Sequence, residues 1–350
     1  DLSDDGETLY VAQGGHTNKG APSDNFGHTS EYALSAAVLT IDLAAIEANY
    51  SAKNLASYDP QGSSESYPSV DFLYAIPTVQ NHDSTPGDDL PFGGNDGINQ
   101  AKWLADGPVQ VYSSGYRNPY DLVLSEDDQL YVIDNGPNGG WGGQPVNEGT
   151  TNACTNEPNE AGSYGTGDQL HLATEGSYGG HAAPIRGNPT GADIYDANGN
   201  MVFDINASNS PVPASEVDPI ECDYQDPTED NSIGGTFGWT GGIDEYTASN
   251  FGGAMEGDLL VVEGGSTVER VELNATGTGV IAQEGNFFTP GNALGIEATG
   301  DDEPFPGTVW TARGDITVFE PNDYGDDTGD QCTGADDPSL DEDGDGYDNA

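Results

Sequence analysis

The chain has 350 residues, 61 of them acidic and 7 basic, for a formal net charge of -54. That charge repels phosphate backbones and anionic headgroups, which excludes unaided binding to nucleic acid or to anionic membranes. No apolar run approaches the roughly 20 residues that span a bilayer, so this sequence carries no transmembrane segment.

Fifty glycines and 22 prolines favour short strands joined by tight turns over helices. The 17 Tyr, 10 Phe and 4 Trp exceed what a wholly disordered chain carries. The charge itself has two readings, disorder or a fold adapted to molar salt. Acids interspersed with aliphatic and aromatic runs, and only three lysines (Lys19, Lys53 and Lys102), favour the halophilic fold. The sequence opens inside a strand–turn–strand unit and closes inside a metal-loop motif, so it reads as a piece of a longer protein.

In chain order, one pattern recurs: an Asp/Gly turn, a short apolar strand, then a second alternating strand. The pairs are 9–11 with 38–43, 130–133 with 169–172, 259–262 with 268–273, and 308–311 with 316–319. β-Branched and aromatic residues suit a pleated surface, and the turn residues tolerate positive φ. Four copies of one antiparallel unit predict an all-β chain, a β-propeller of four-stranded blades, with a two-sheet sandwich as the alternative. About four blades are visible of an expected six, spread over residues 1–320. The stretches 44–100, 144–168 and 187–250 read as inserted surface loops, with a turn of helix over 43–48. Residues 321–350 form an acidic linker or tail.

Cys154 and Cys222 both fall in insertions and could pair, whereas Cys332 lies in the tail. Disulfide bonding would fit an extracellular or cell-surface location, with free thiols as the alternative, and the sequons at Asn49, Asn206 and Asn274 fit surface exposure but add little. The tail segment Asp341-Glu342-Asp343-Gly344-Asp345-Gly346 matches the first half of a calcium loop, with Asp341, Asp343 and Asp345 offering oxygens at alternate positions. It resembles thrombospondin type 3 and dockerin-like repeats, which implies Ca2+ and leaves a calcium-dependent adhesion module as one reading of the whole.

The densest stretch runs from Gly115 to Gly143. Arg117, one of four arginines, sits beside Asn118 and Pro119. It is either a clamp on carbonyls or a buried ion pair, or else a planar cation that holds an anionic ligand. The turn Gly136-Pro137-Asn138 follows a strand and could aim oxygens at Ca2+ or be an ordinary turn. His16 sits in a Gly-rich loop at a strand end, either as a base or as a loop histidine bonded to backbone. His171 alternates with Leu170 and Leu172, which predicts the polar face of a strand. His28 and His82 lie in loops with nothing convergent in sequence, and no HxxxH or CxxC spacing suggests zinc.

Together, GYRNPYDL, the acidic turn, LYV, and DNGPN with glycines and Trp141 resemble the soluble glucose/sorbosone dehydrogenase family. The resemblance extends with insertions over about 1–43 and 100–320. It implies a six-bladed propeller that uses pyrroloquinoline quinone (PQQ) and Ca2+ to oxidise a sugar at its anomeric carbon. It assigns Arg117 and Asn118 to the quinone and sugar, and the carbonyls of the 136–137 turn to calcium. The family's catalytic His would fall upstream of Asp1. Gly14 stands where the family has the Asp that orients that His, and Gly264, Gly265 and Ser266 stand where it has basic residues. Arg313, ending the matching strand of the last unit, could replace that charge, whereas Arg270 alternates away. A non-catalytic propeller that binds carbohydrate is the second reading.

Overall fold

The computed structural model describes residues 1–52, 101–162, 165, 167–226, 229–230 and 232–322. All four strand pairs expected from the sequence form antiparallel hairpins. They are β1 (Thr8–Gln13) with β2 (Ala37–Asp42), β5 (Leu130–Asp134) with β6 (Asp168–Ala173), β11 (Asp258–Glu263) with β12 (Thr267–Leu273), and β15 (Val309–Arg313) with β16 (Asp315–Phe319). Further strands extend each hairpin into a larger sheet. An outer strand is added by β3 (Val109–Ser114), β9 (Ser232–Phe237) or β13 (Val280–Phe288). An inner strand is added by β4 (Pro119–Leu124), β10 (Thr240–Tyr246) or β14 (Gly295–Ala298). In the first sheet the Leu2↔Leu9 bridge takes the inner place. The inner strands pack side by side, β1 and β4, then β4 and β10, then β10 and β14. The fold is therefore all-β, with four successive propeller blades.

The burial pattern explains why these strands do not alternate polar and apolar. All five residues of β5 are buried. Leu130 and Val132 pack with Val38, Tyr116 and Leu122 towards the first blade. Tyr131 and Ile133 pack with Leu259, Val261 and Val271 of the third. Likewise Leu260 and Val262 turn towards Ile296 and Val309 of the fourth. A strand between two blades buries both faces, each such side chain contributing about 1.5–3 kcal/mol. The same reason overturns the expectation for His171. It is 1% exposed, not on a polar face. Its ring packs edge-on to Tyr116 at 5.3 Å, and burial lowers its pKa to about 4.

A repeated latch joins the blades at their inner strands. Asp121 Oδ1 accepts the N–H of Leu122, and its Oδ2 accepts that of Ile243 in the next blade. Asp244 does the same with Glu245 and with Ala298 of the following blade. Asp1 does so with Leu2 and Leu124.

The helix expected over 43–48 is α1 (Leu43–Ala52). The stretch 187–250 is not wholly loop, since it supplies β9, β10 and the hairpin of β7 (Ile194–Tyr195) with β8 (Met201–Phe203). Nor are the insertions mere surface excursions. Ala33, Trp103, Ile185, Ile194, Ile205 and Val212 form a core of their own. The Cys154–Cys222 disulfide pins it, closing 68 residues with both cysteines wholly buried. A loop of that length adds about 4 kcal/mol on chain-entropy grounds. Arg186, in α2 (Pro184–Gly187), is also wholly buried. Its Nε donates to both oxygens of Glu221, and its Nη atoms donate to the carbonyls of Ala33, Ser35 and Ala36. The calcium-loop residues Asp341, Asp343 and Asp345, and also His82, lie outside the described residues.

Two outcomes follow from this architecture. Burial raises the Asp121 and Asp244 carboxyls, Asp244 to about 7, so the folded chain holds protons that the unfolded chain releases near pH 4. In dilute buffer these groups make stability fall as pH rises from about 4 to 7. Melting curves across that range should show it, with a shallower slope in Asp244→Asn. Thiol titration of the denatured, unreduced protein should count one free cysteine, Cys332; three would exclude the disulfide.

Candidate functional site

In each blade the inner strand starts, and the second strand ends, on the same face. That face therefore collects Gly14 to His16 after β1, Arg117 and Asn118 before β4, Asn135 to Asn138 after β5, Trp239 before β10 and Arg313 at the end of β15. Arg270 lies elsewhere, bonded to Asp258 at 2.5 Å at the start of β11, so it faces away from this set as alternation predicts.

Two buried carboxylates fix the Arg117 segment. Asp134 accepts the backbone N–H groups of Arg117 at 3.1 Å and Asn118 at 2.7 Å. Asp168 accepts those of Gly136 at 3.1 Å and Thr240 at 2.8 Å, tying the second blade to the third. Burial pushes Asp134 up to about 7 despite those bonds and the Arg117 charge. Asp168 is raised for the same cause. The half-buried Arg117 guanidinium donates Nη1 to the Asn135 carbonyl at 3.2 Å and lies 5.9 Å from the Phe26 ring. Arg117 is thus partly the carbonyl clamp, but its buried Nε has no partner. Burial lowers its pKa, and Asp134, Asp168 and Glu31 oppose that.

No motif or spacing marks Glu31 in the sequence. It is 0% exposed, at the floor of the site. Its carboxylate accepts from His16 N, Thr17 N, Thr17 Oγ1 and Ser35 Oγ, and it meets His181 Nε2 at 3.0 Å. Burial favours the neutral acid. The His181 hydrogen bond, the charges of His181 and His16, and the Ser35 bond outweigh it and bring the pKa to about 2. Gly15 makes this approach possible. A Cβ there would lie 2.9 Å from Glu31 Oε1 and 3.2 Å from His181 Nε2.

Thr17 Oγ1 spends its proton on Glu31, so the 3.1 Å contact from His181 Nε2 to Thr17 Oγ1 also requires a proton on Nε2. In the neutral ring the lone pair is then on Nδ1, which is buried and unpartnered. Nδ1 belongs to a side chain lining a cavity of about 20 Å³ with Arg117, Asp134, Gly136, Pro137 and Tyr224, room for one water. His16 stands at a neighbouring open depression of about 230 Å³, with Gly15, Phe26 and Thr29. Its N–H is held by Glu31, its ring packs on Tyr32 at 4.5 Å, and its Nδ1 is buried without a partner.

The structure therefore brings together Arg117, His16, Gly136 and Pro137. Asn118 is exposed beside them and held through its backbone. Asn138 exchanges both backbone bonds with the Asn18 side chain. Arg313 lies over Trp239 at 5.9 Å, and its Nη1 lies 2.7 Å from where a Gly265 Cβ would stand. The glycine at 265 thus leaves space that Arg313 enters.

No family model and no curated protein matches the chain. Among solved structures it is similar to a glucose dehydrogenase, at 16% identity and a TM-score of 0.40, covering 91% of this chain and 61% of that one. It is also similar to a soluble aldose sugar dehydrogenase from Escherichia coli in its apo form, at 15% identity and 0.39, covering 92% and 63%. A PQQ-bound aldose sugar dehydrogenase from Streptomyces coelicolor gives 15% and 0.36, covering 91% and 58%. The chain spans about three fifths of the length of these structures.

Glu31→Gln removes the acceptor shared by five donors, which should cost about 3 kcal/mol in a denaturant titration at pH 7. The wild type holds this contribution above pH 4.5 and loses it as pH falls towards 2. The variant should lack that acid limb.

Proposed function

We propose that this face binds a sugar beside a redox cofactor, and that the protein is a sugar dehydrogenase-like propeller. The observation that carries the reading is the buried His181–Glu31 pair. Glu31 holds the Nε2 proton and leaves an unpartnered Nδ1 on a ring that lines a water-sized cavity together with Arg117. A base in that setting takes a proton from a hydroxyl through one water, the demand made by oxidising an anomeric carbon.

The residues present fit a planar ligand rich in acceptor oxygens. Arg117 Nε and His16 Nδ1 are orphaned and buried, and the Phe26 ring lies 5.9 Å from the Arg117 guanidinium and lines the same depression as His16. Arg117 would hold a quinone oxygen or carboxylate, with Asn118 at the rim and Arg313 adding charge from the fourth blade. The carbonyls of Gly136 and Pro137, with Asn138 beside them, are the candidate calcium ligands. Bound there, PQQ with Ca2+ would supply the two-electron acceptor. Asp134 and Asp168 keep the Arg117 segment and the Gly136 turn from shifting, and Glu31 fixes the His181 tautomer.

The disulfide supports an extracellular or surface location, and no described helix is long and apolar enough to cross a membrane. The dispersed carboxylates support adaptation to high salt. Asp341, Asp343 and Asp345 remain a proposed calcium loop. One observation favours the second reading, a carbohydrate-binding propeller without catalysis. Arg117 faces Asp134, Asp168 and Glu31, a poor setting for a tricarboxylate.

The test is a titration of the full-length protein with PQQ in molar salt with Ca2+, followed by aldoses and an artificial acceptor. Saturable quinone binding with sugar-dependent reduction is expected. Arg117→Ala should weaken quinone binding on the order of tenfold or more. His181→Gln should lower kcat at least a hundredfold with little change in KM. Binding of sugar with no binding of quinone would establish the second reading instead.

A further inference from the structure

The insertion after β1 carries a cluster that the sequence reading treated as empty. His28 converges with Asp24 and Glu160. Its Nε2 lies 3.1 Å from Glu160 Oε1 and 3.5 Å from Asp24 Oδ1, and the three ligand atoms lie within 4.8 Å of one another. Among the described residues this is the one place where three such side chains meet in this way. We propose that Asp24, His28 and Glu160 form a binding site for a divalent transition metal, of which Zn2+ is the type ion.

The imidazole gives the reason. His28 is 6% exposed, and its Nδ1 lies 3.1 Å from the Ala197 carbonyl oxygen. A carbonyl only accepts, so Nδ1 carries a proton, and in the neutral ring the Nε2 lone pair points between two carboxylates. The repulsion of three such acceptors is offset by a proton on Nε2 or by a metal ion among them, and the metal competes with the proton for this place. A histidine whose second nitrogen donates to a backbone carbonyl is the usual support for a metal-ligating imidazole. The spacing agrees as well. Ligands about 2.0–2.1 Å from a tetrahedral ion lie about 3.4 Å from one another, close to the two distances from Nε2. One nitrogen and two carboxylate oxygens make a donor set for zinc and its neighbours, with water completing the shell.

The backbone is shaped for this convergence. A 3-10 turn over Asp24–Phe26 is followed by Gly27 at φ 60° and His28 at φ 55°. A left-handed histidine is uncommon, and here it turns the ring back over Asp24. Gly199 covers the ring, and a Cβ there would stand 3.3 Å from Nε2. Glu160 reaches in from the second insertion and also accepts the Asp24 N–H at 2.9 Å. A metal would therefore staple two separate insertions, while a third holds the imidazole through the Ala197 carbonyl. Phe26 lies in the same turn, so the staple would also hold the ring against which Arg117 packs. The site rests on its own observations and does not depend on the sugar dehydrogenase reading.

The test uses the full chain, stripped with a chelator and titrated with Zn2+, then Co2+, in molar salt. One site per chain is expected, above the weak background of surface carboxylates. Co2+ should give the visible absorption of a low-coordinate nitrogen–oxygen site. His28→Ala and Glu160→Gln should each weaken Zn2+ binding at least tenfold. Zn2+ should raise the melting temperature of the wild type and not that of the variants. Glu160 is partly exposed, so its variant is expected to fold even if His28→Ala does not. The proposal is overturned by a wild-type isotherm indistinguishable from that of Glu160→Gln, by no binding above background, or by a Co2+ spectrum no different from that of the aquo ion. Sugar oxidation is measured separately, so loss of either activity leaves the other readable.

Discussion

Arg186 and Glu221 form a wholly buried ion pair in a chain that has almost no cations to spend. The guanidinium also gathers the carbonyls of Ala33, Ser35 and Ala36, which sets the path of the loop between the first two strands of the first blade. Ser35 then places its hydroxyl on Glu31, and Glu31 holds His16, Thr17 and His181. Position passes along that chain of contacts from a structural cation to the proposed base. Removing either partner of such a pair costs about 3–5 kcal/mol, because the other is left charged and buried. The neighbouring Cys222 anchors the Glu221 end through the disulfide.

The acidity of the protein does not make its carboxylates interchangeable. Most face water, where salt screens them. Those at the site do the work of backbone ties. Asp134 and Asp168 together take four N–H groups from three segments of chain. Their charge is balanced partly by raised pKa values and partly by Arg117. A site built this way gains rigidity without lysines, at the cost of a field that disfavours further anions. Arg313, from the last blade, enters the space that Gly265 leaves open.

What could be read from the sequence follows distance along the chain. The two hairpin strands of each blade follow one another in chain order, across insertions in the first two blades, and their turn residues and apolar runs mark all four. The inner strands were missed because Pro119–Leu124 and Thr240–Tyr246 mix Asp, Gly and Tyr among their apolar residues. They gain their partners only when the blades stack. Arg117 stood out because arginine is scarce. Glu31 did not, since it was one acid among 61, and its five donors come from residues 16, 17, 35 and 181. His28 was read as isolated because Glu160 and Ala197 lie 132 and 169 residues away. His171 was misread because alternation signals a solvent face only where one face of a sheet is wet.

The aspartate latches at the inner strands have a direction. Asp1, Asp121 and Asp244 each hold their own strand with one oxygen and the next blade with the other. Every latch belongs to the earlier blade and is received by the later one, so the blades overlap like roof tiles laid in chain order. A blade made early already carries the acceptor its successor needs. A blade made late exposes an unmet N–H until its predecessor is in place. The latches thus run in chain order, and a blade that forms after its predecessor finds its acceptor already in place.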